Sequence, residues 1–256
     1  MLQSASPILA AAMLAASLVA NMPTASIAAE WSKLKGRFIY DGKAPAPARF
    51  NRAVQPPFAG QNVIDERLLV DRRTLGIKNV VIYVSSKGVK VHPDYEKTAN
   101  DTVIMDSNRC RFDPHVAVVR TTQTLQLHNS DPFKHNPNMT PLGDEPANPM
   151  LAPNASIKYR FQKPQTIPVP ITSNIHPWMR GYVVVRDNPY ATLTDAQGRF
   201  ELKNLPAEEL EFSVWHESSG WITARDDWNK GAFKYKLKPG DNDLGIIKIP
   251  PATFRR

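Results

Sequence analysis

His176 and Met179 stand three residues apart in Ser173-Asn174-Ile175-His176-Pro177-Trp178-Met179-Arg180, a short stretch restrained by Pro177. An imidazole and a thioether on one rigid loop suit a soft metal ion, copper above all. A second fragment, Asn129-Ser130-Asp131-Pro132-Phe133-Lys134-His135-Asn136, supplies another imidazole, His135, just after a strand-like segment. His135, His176 and Met179 are therefore the candidate metal ligands. The competing reading is structural: Pro177, Trp178 and Met179 pack a loop, and Trp178 caps a core. Cys110 precedes the segment around Phe112 and has two readings. It is buried filler, or it approaches the metal from a neighbouring strand.

Other chemistry is weakly signalled. His92, His115, His128 and His216 have lesser claims. Leu125 and Leu127 alternate as core residues, which turns His128 towards solvent or a sheet edge. His216-Glu217 could do acid–base work, but no second carboxylate or nucleophile is near it in sequence, and it reads as a hydrogen-bonded strand end. No Gly-x-Ser-x-Gly elbow, phosphate-binding glycine loop or His-Glu-x-x-His is present. The pairs Asp226-Asp227 and Glu208-Glu209 would point to opposite faces of a strand. The sequence thus predicts a protein that is not an enzyme.

The elements that must position these residues are strands. Proline is frequent, at 23 residues, and no long helical periodicity occurs, while short apolar runs recur between Gly, Pro, Asn and Asp. The pattern predicts an all-β chain with strands at 36–40, 79–84, 102–105, 116–120, 124–128, 157–162, 181–186, 199–203, 210–215, 233–237 and 244–249. Residues 45–57 read as an irregular crossing segment, and a short helix is predicted near 65–71.

Two families are suggested by motif. The fragments around His135 and His176 resemble the cupredoxins, in particular the amicyanin-type loop Cys-x-x-His-x-x-Met, with Ser173 at the cysteine position. That resemblance implies a Greek-key sandwich over roughly a third of the chain, with copper as cofactor. It also implies that the thiolate of a blue-copper site is missing, because a neutral hydroxyl is a poor copper ligand. Two imidazoles and a thioether resemble Cu(I) storage or delivery sites more than electron-transfer sites.

The flanks resemble the carboxypeptidase regulatory-like β-sandwich. Lys35-Gly36-Arg37-Phe38-Ile39-Tyr40-Asp41-Gly42 looks like its first strand and turn. Thr194-Asp195-Ala196-Gln197-Gly198-Arg199-Phe200 looks like its Thr-Asp-x-x-Gly-x-Phe signature. The expected organisation is a sandwich of residues 31–95 plus 188–256, with a cupredoxin-like domain, 96–187, inserted in it. Consecutive sandwiches or one merged sheet system are the alternatives. The split pattern further predicts that Val80–Val84 pairs with or neighbours the region 199–203.

Residues 1–29 contain no Lys, Arg, Asp or Glu, carry an apolar stretch from Ile8 to Ala20 and end in Ser26-Ile27-Ala28-Ala29. This reads as a signal peptide and predicts a periplasmic or secreted protein with no membrane span after cleavage. The lone cysteine allows no internal disulfide. The net charge of +8 is scattered, which suits a solvated face or docking to an acidic partner. No basic-aromatic module points to nucleic acid. The expected function is copper binding, or a role as redox or copper-transfer partner of another protein. The alternative is a non-enzymatic module binding carbohydrate or protein, with Trp221 and Trp228 available for sugar stacking.

Overall fold

The computed structural model describes residues 31–50 and 63–254. The signal peptide expected at 1–29 and the second half of the predicted crossing segment lie outside the described residues. The chain opens with β1 (Trp31–Tyr40), β2 (Arg49–Phe50), β3 (Val63–Ile64) and β4 (Val81–Val84). A 3-10 helix at Pro93–Thr98 follows, and then β5 (Thr102–Asn108), β6 (Arg111–Asp113), β7 (Val116–Arg120), β8 (Thr124–Asn129), β9 (Pro137–Met139), β10 (Ser156–Tyr159), β11 (Val169–Ser173) and β12 (Arg180–Arg186). The chain continues through β13 (Ala191–Leu193), β14 (Arg199–Pro206), β15 (Glu209–His216), β16 (Gly220–Trp221), β17 (Ala232–Lys236) and β18 (Gly240–Ile249).

The expected all-β class is the one found. β14-β1-β18 form one sheet and β13-β4-β15-β16 another, with β17 added on β15. β5 to β12 form two sheets of their own, β7-β12-β11-β9 and β10-β8-β5-β6, while β2 and β3 make a separate ribbon.

Side-chain alternation explains how these sheets stack. Val80, Ile82 and Val84 enter a core with Leu34, Phe38, Phe200 and Leu202, whereas Val81 and Tyr83 point the other way, onto Val116, Val184 and Trp215. Val183 and Val185 in turn face a third core with Leu125, Leu127, Phe112 and Ile171. Successive strand residues point to opposite faces, so the valine runs at 80–84 and 183–185 serve two cores each. The result is four layers with the two valine-rich sheets packed against each other in the middle.

Several local expectations change. β4 pairs with β13 and β15, while β14 pairs with β1 in the facing sheet. Val80 and residues 199–203 are therefore neighbours across a core and do not form a ladder. Residues 65–71 form turns instead of a helix. Asp71 Oδ1 accepts hydrogen bonds from the Arg73 and Thr74 N–H groups, and such local bonds compete with helix. β11 was not predicted, because Pro168 and Pro170 argue against a central strand. β11 pairs with β9 only from Ile171 onward, so the missing Pro170 N–H falls beyond that ladder. Val63 and Phe50 belong to sequence assigned to the outer sandwich, yet they pack in the core of the β5–β12 unit.

The Thr194–Gly198 turn crosses β1 closely. Gly198 has φ +77° and a Cβ there would lie 2.0 Å from the Phe38 carbonyl oxygen, so only glycine fits. Among the described residues no helix is long and apolar enough to cross a membrane.

Candidate metal centre

β8 delivers the first histidine. Its inward residues are Leu125, Leu127 and Asn129. The fully buried Asn129 ties down the loop beyond it, donating from Nδ2 to the carbonyls of Phe133, Leu151 and Ala152 and accepting from the Asp131 N–H at 3.0 Å. His135 follows, fully buried and bridged through its backbone to Leu151. Its Nε2 lies 2.7 Å from Asp131 Oδ2. The same carboxylate accepts from the Arg109 N–H at 2.6 Å and the Cys110 N–H at 2.9 Å. Burial pushes the Asp131 pKa up, but the bonds from His135, Cys110 and Arg109 outweigh it and the net shift is downward.

An ionised carboxylate only accepts, so the proton of His135 sits on Nε2 and its Nδ1 carries the free lone pair. That Nδ1 is buried and has no hydrogen-bond partner.

The β11–β12 loop delivers the second histidine. β11 turns Val169, Ile171 and Ser173 inward. Ser173 Oγ accepts the His176 N–H at 3.1 Å, and the His176 carbonyl accepts the Met179 N–H at 2.8 Å, closing a tight turn. Asn136 Oδ1 accepts the Asn174 N–H at 3.4 Å, which links this loop to the His135 loop. The two imidazole centroids are 4.7 Å apart, with the Phe133 ring 5.1 and 5.7 Å from them. His176 is buried and its Nδ1 also has no partner. Burial first, and then the neighbouring His135, lower its pKa, which keeps the lone pair available. Met179 is buried in the core of the β5–β12 unit, three residues after His176.

His135 and His176 thus converge in the β5–β12 unit, and Met179 follows on the same loop as His176. A ligand needs an unprotonated donor that is not already engaged in a hydrogen bond. His135 Nδ1 meets this condition, His176 Nδ1 is buried and free of hydrogen bonds, and the thioether suits Cu(I).

Cys110 lies close to His135 and Asp131. Its sulfur, an Asp131 oxygen and a His135 ring nitrogen lie within 4.8 Å of one another. The Cys110 N–H shares Asp131 Oδ2 with His135 Nε2. Burial first, and then the Asp131 charge, push its thiol up to about 12, so the free protein holds it protonated. The carboxylate between them already accepts three hydrogen bonds. The Nδ1 pair is the better candidate site, and Cys110 and Asp131 are its backing.

Sequence reasoning passed over Asp131, although an acid four residues before His135 was a readable signal. It also missed a second cluster. His115 Nε2 lies 2.5 Å from Glu217 Oε2, and Glu66 Oε2 lies 3.7 Å from His115 Nδ1. Glu217 was read as a simple strand end with no carboxylate partner. In space it has one in Glu66, and no local motif could have announced it. His128 takes the solvent side of the two expected positions: it lies on the outward face of β8, between β10 and β5, bonded to Ser156 Oγ at 2.7 Å. Trp228 does not suit sugar stacking: it is 4% exposed and stacked on Phe233 at 4.3 Å.

No family model and no curated protein matches this chain. Solved structures similar to parts of it include copper-containing proteins. One is a Cu-containing nitrite reductase from Thermus scotoductus SA-01, at 24% identity and TM-score 0.30, matched over 33% of this chain and 22% of that one. Another is a reduced Cu(I) form of an amicyanin variant at pH 4, at 19% identity and TM-score 0.31, matched over 41% of this chain and 98% of that one. A second reduced amicyanin variant matches with the same identity, coverage and TM-score.

Proposed function

We propose that this protein binds copper through His135 Nδ1, His176 Nδ1 and Met179, as an exported cupredoxin-like protein whose partner is a redox or copper-transfer protein. The observation that carries this reading is the pair of buried, unpartnered Nδ1 atoms on imidazoles 4.7 Å apart. Leaving a buried polar atom unsatisfied costs about 1–3 kcal/mol, and one shared ion would satisfy both. Copper would supply one-electron exchange or a transferable Cu(I). The chain's own residues do the rest. Asp131 fixes the His135 tautomer, the Ser173 hydroxyl shapes the turn, and Phe133 and Trp178 crowd water from the rings.

Ser173 contributes no thiolate, which favours a Cu(I) holding role over rapid electron transfer. Division of the chain into an inserted unit, 96–187, within an outer sandwich, 31–95 plus 188–256, belongs to the same reading. So does a periplasmic or secreted location.

The test is Cu(I) titration of residues 30–256 against a chromophoric Cu(I) chelator. One equivalent should bind, and His135→Ala or His176→Ala should weaken it by about 100-fold or more. Stoichiometric binding that survives both changes would refute the assignment.

A further inference from the structure

A cleft of about 240 Å³ separates the metal-centre loop from the segment after β3. Cys110, Trp178 and Met179 line one side, and Glu66, Arg111 and His115 line the other. His115 is 9% exposed, and its Nδ1 makes no hydrogen bond. Its Nε2 is held by Glu217, whose side chain is 5% exposed and whose second oxygen, Oε1, is also buried without a partner. The arrangement repeats that of Asp131 and His135: a buried carboxylate accepts a hydrogen bond from Nε2–H and leaves Nδ1 with a lone pair.

Here, however, an acceptor faces that lone pair. Glu66 Oε2 is 3.7 Å from Nδ1, and two lone pairs at that distance have nothing between them to share. A cation would resolve this. With metal–ligand bonds of about 2.0–2.2 Å, two donors on one tetrahedral ion sit roughly 3.4 Å apart, close to the distance found. The other Glu66 oxygen is steadied by Arg111 Nη1 at 3.3 Å. Asp65 is taken up by Arg67 through contacts of 2.5–3.0 Å and does not compete.

We infer that this cleft is a second metal site, for a divalent cation of the zinc class, bound by His115 Nδ1 and Glu66 Oε2. Glu217 orients the imidazole from behind, and water from the cleft fills the remaining positions. Imidazole with carboxylate is a borderline-hard donor pair, unlike the imidazole–thioether set nearby, so the two sites select different ions. The site joins three separate parts of the chain, and its occupation would brace the outer sandwich against the β5–β12 unit.

The experiment is calorimetric titration with Zn²⁺ of the His135→Ala/His176→Ala protein, which lacks the first site. One equivalent should bind. Adding Glu66→Gln, nearly isosteric, should weaken binding at least tenfold, and adding Glu217→Gln about tenfold. In the unaltered protein the His115 ring resonances should move with Zn²⁺ in nuclear magnetic resonance spectra. This second readout does not depend on the folding of any variant. A protonated His115 clasped between two carboxylates predicts the opposite: no Zn²⁺ bound and no shift at His115. That result, or an unchanged affinity in Glu66→Gln, would overturn the inference.

Discussion

Replacing Asp131 tests how the metal centre is held together. Its carboxylate receives three donors: the Arg109 and Cys110 N–H groups and His135 Nε2. Hydrogen bonds to a charged group contribute about 1.5–3 kcal/mol each, and they are not additive. Asp131→Ala strands all three donors, two of them in fully buried residues, so the expected loss is about 3–5 kcal/mol. Asp131→Asn keeps one acceptor oxygen and should cost less, roughly 1–3 kcal/mol.

The assay is urea denaturation at neutral pH, followed by circular dichroism. A second readout separates positioning from simple stability: Cu(I) affinity of the folded Asn variant should fall about 10–100-fold, because the His135 tautomer is no longer fixed. The pH dependence follows from the depressed folded pKa. The contribution is fully present above the ordinary carboxyl value of 3.8 and is lost as pH falls through the lower folded value. Wild-type and Ala curves should therefore converge in strong acid. A cost below about 1 kcal/mol for Asp131→Ala would refute the reasoning.

Ser173→Cys should place a thiolate where the loop now carries a hydroxyl. The unmodified protein should be colourless or pale with Cu(II), and the variant should develop an intense visible band that His135→Ala abolishes. A strong band in the unmodified protein would point to Cys110 instead. Burial lowers the His216 pKa from 6.5 to about 4. Stability should be constant above pH 6.5 and fall by on the order of 3 kcal/mol as pH drops towards 4, since the unfolded chain takes the proton first; His216→Asn should flatten that window in pH-dependent denaturation. Trp228→Ala should cost about 3–5 kcal/mol in the same denaturation assay, as a core aromatic would, and a surface-like cost below about 1 kcal/mol would contradict its packing on Phe233.

The candidate site was legible because its donor-bearing residues are declared by local spacing. His176 and Met179 share one loop whose turn is closed by its own backbone, and His135 follows a strand whose alternation is plain. The all-β class was legible for the same reason, since strand period and turn residues are local properties. β11 was not, because its prolines read as breakers, and only its place beside a short neighbour makes them harmless.

What the sequence by itself determined is which residues alternate, where the chain turns and which donors travel together. Tertiary structure alone decided that the Nδ1 atoms of His135 and His176 are buried without partners, because the two rings are brought together from separate loops. It decided that Cys110 and His135 share the Asp131 carboxylate and that the valine runs serve two cores. It also brought Glu217 to His115 across 102 residues. Burial and hydrogen-bond direction are set by long-range pairing, so a local pattern can name a ligand without aiming its lone pair.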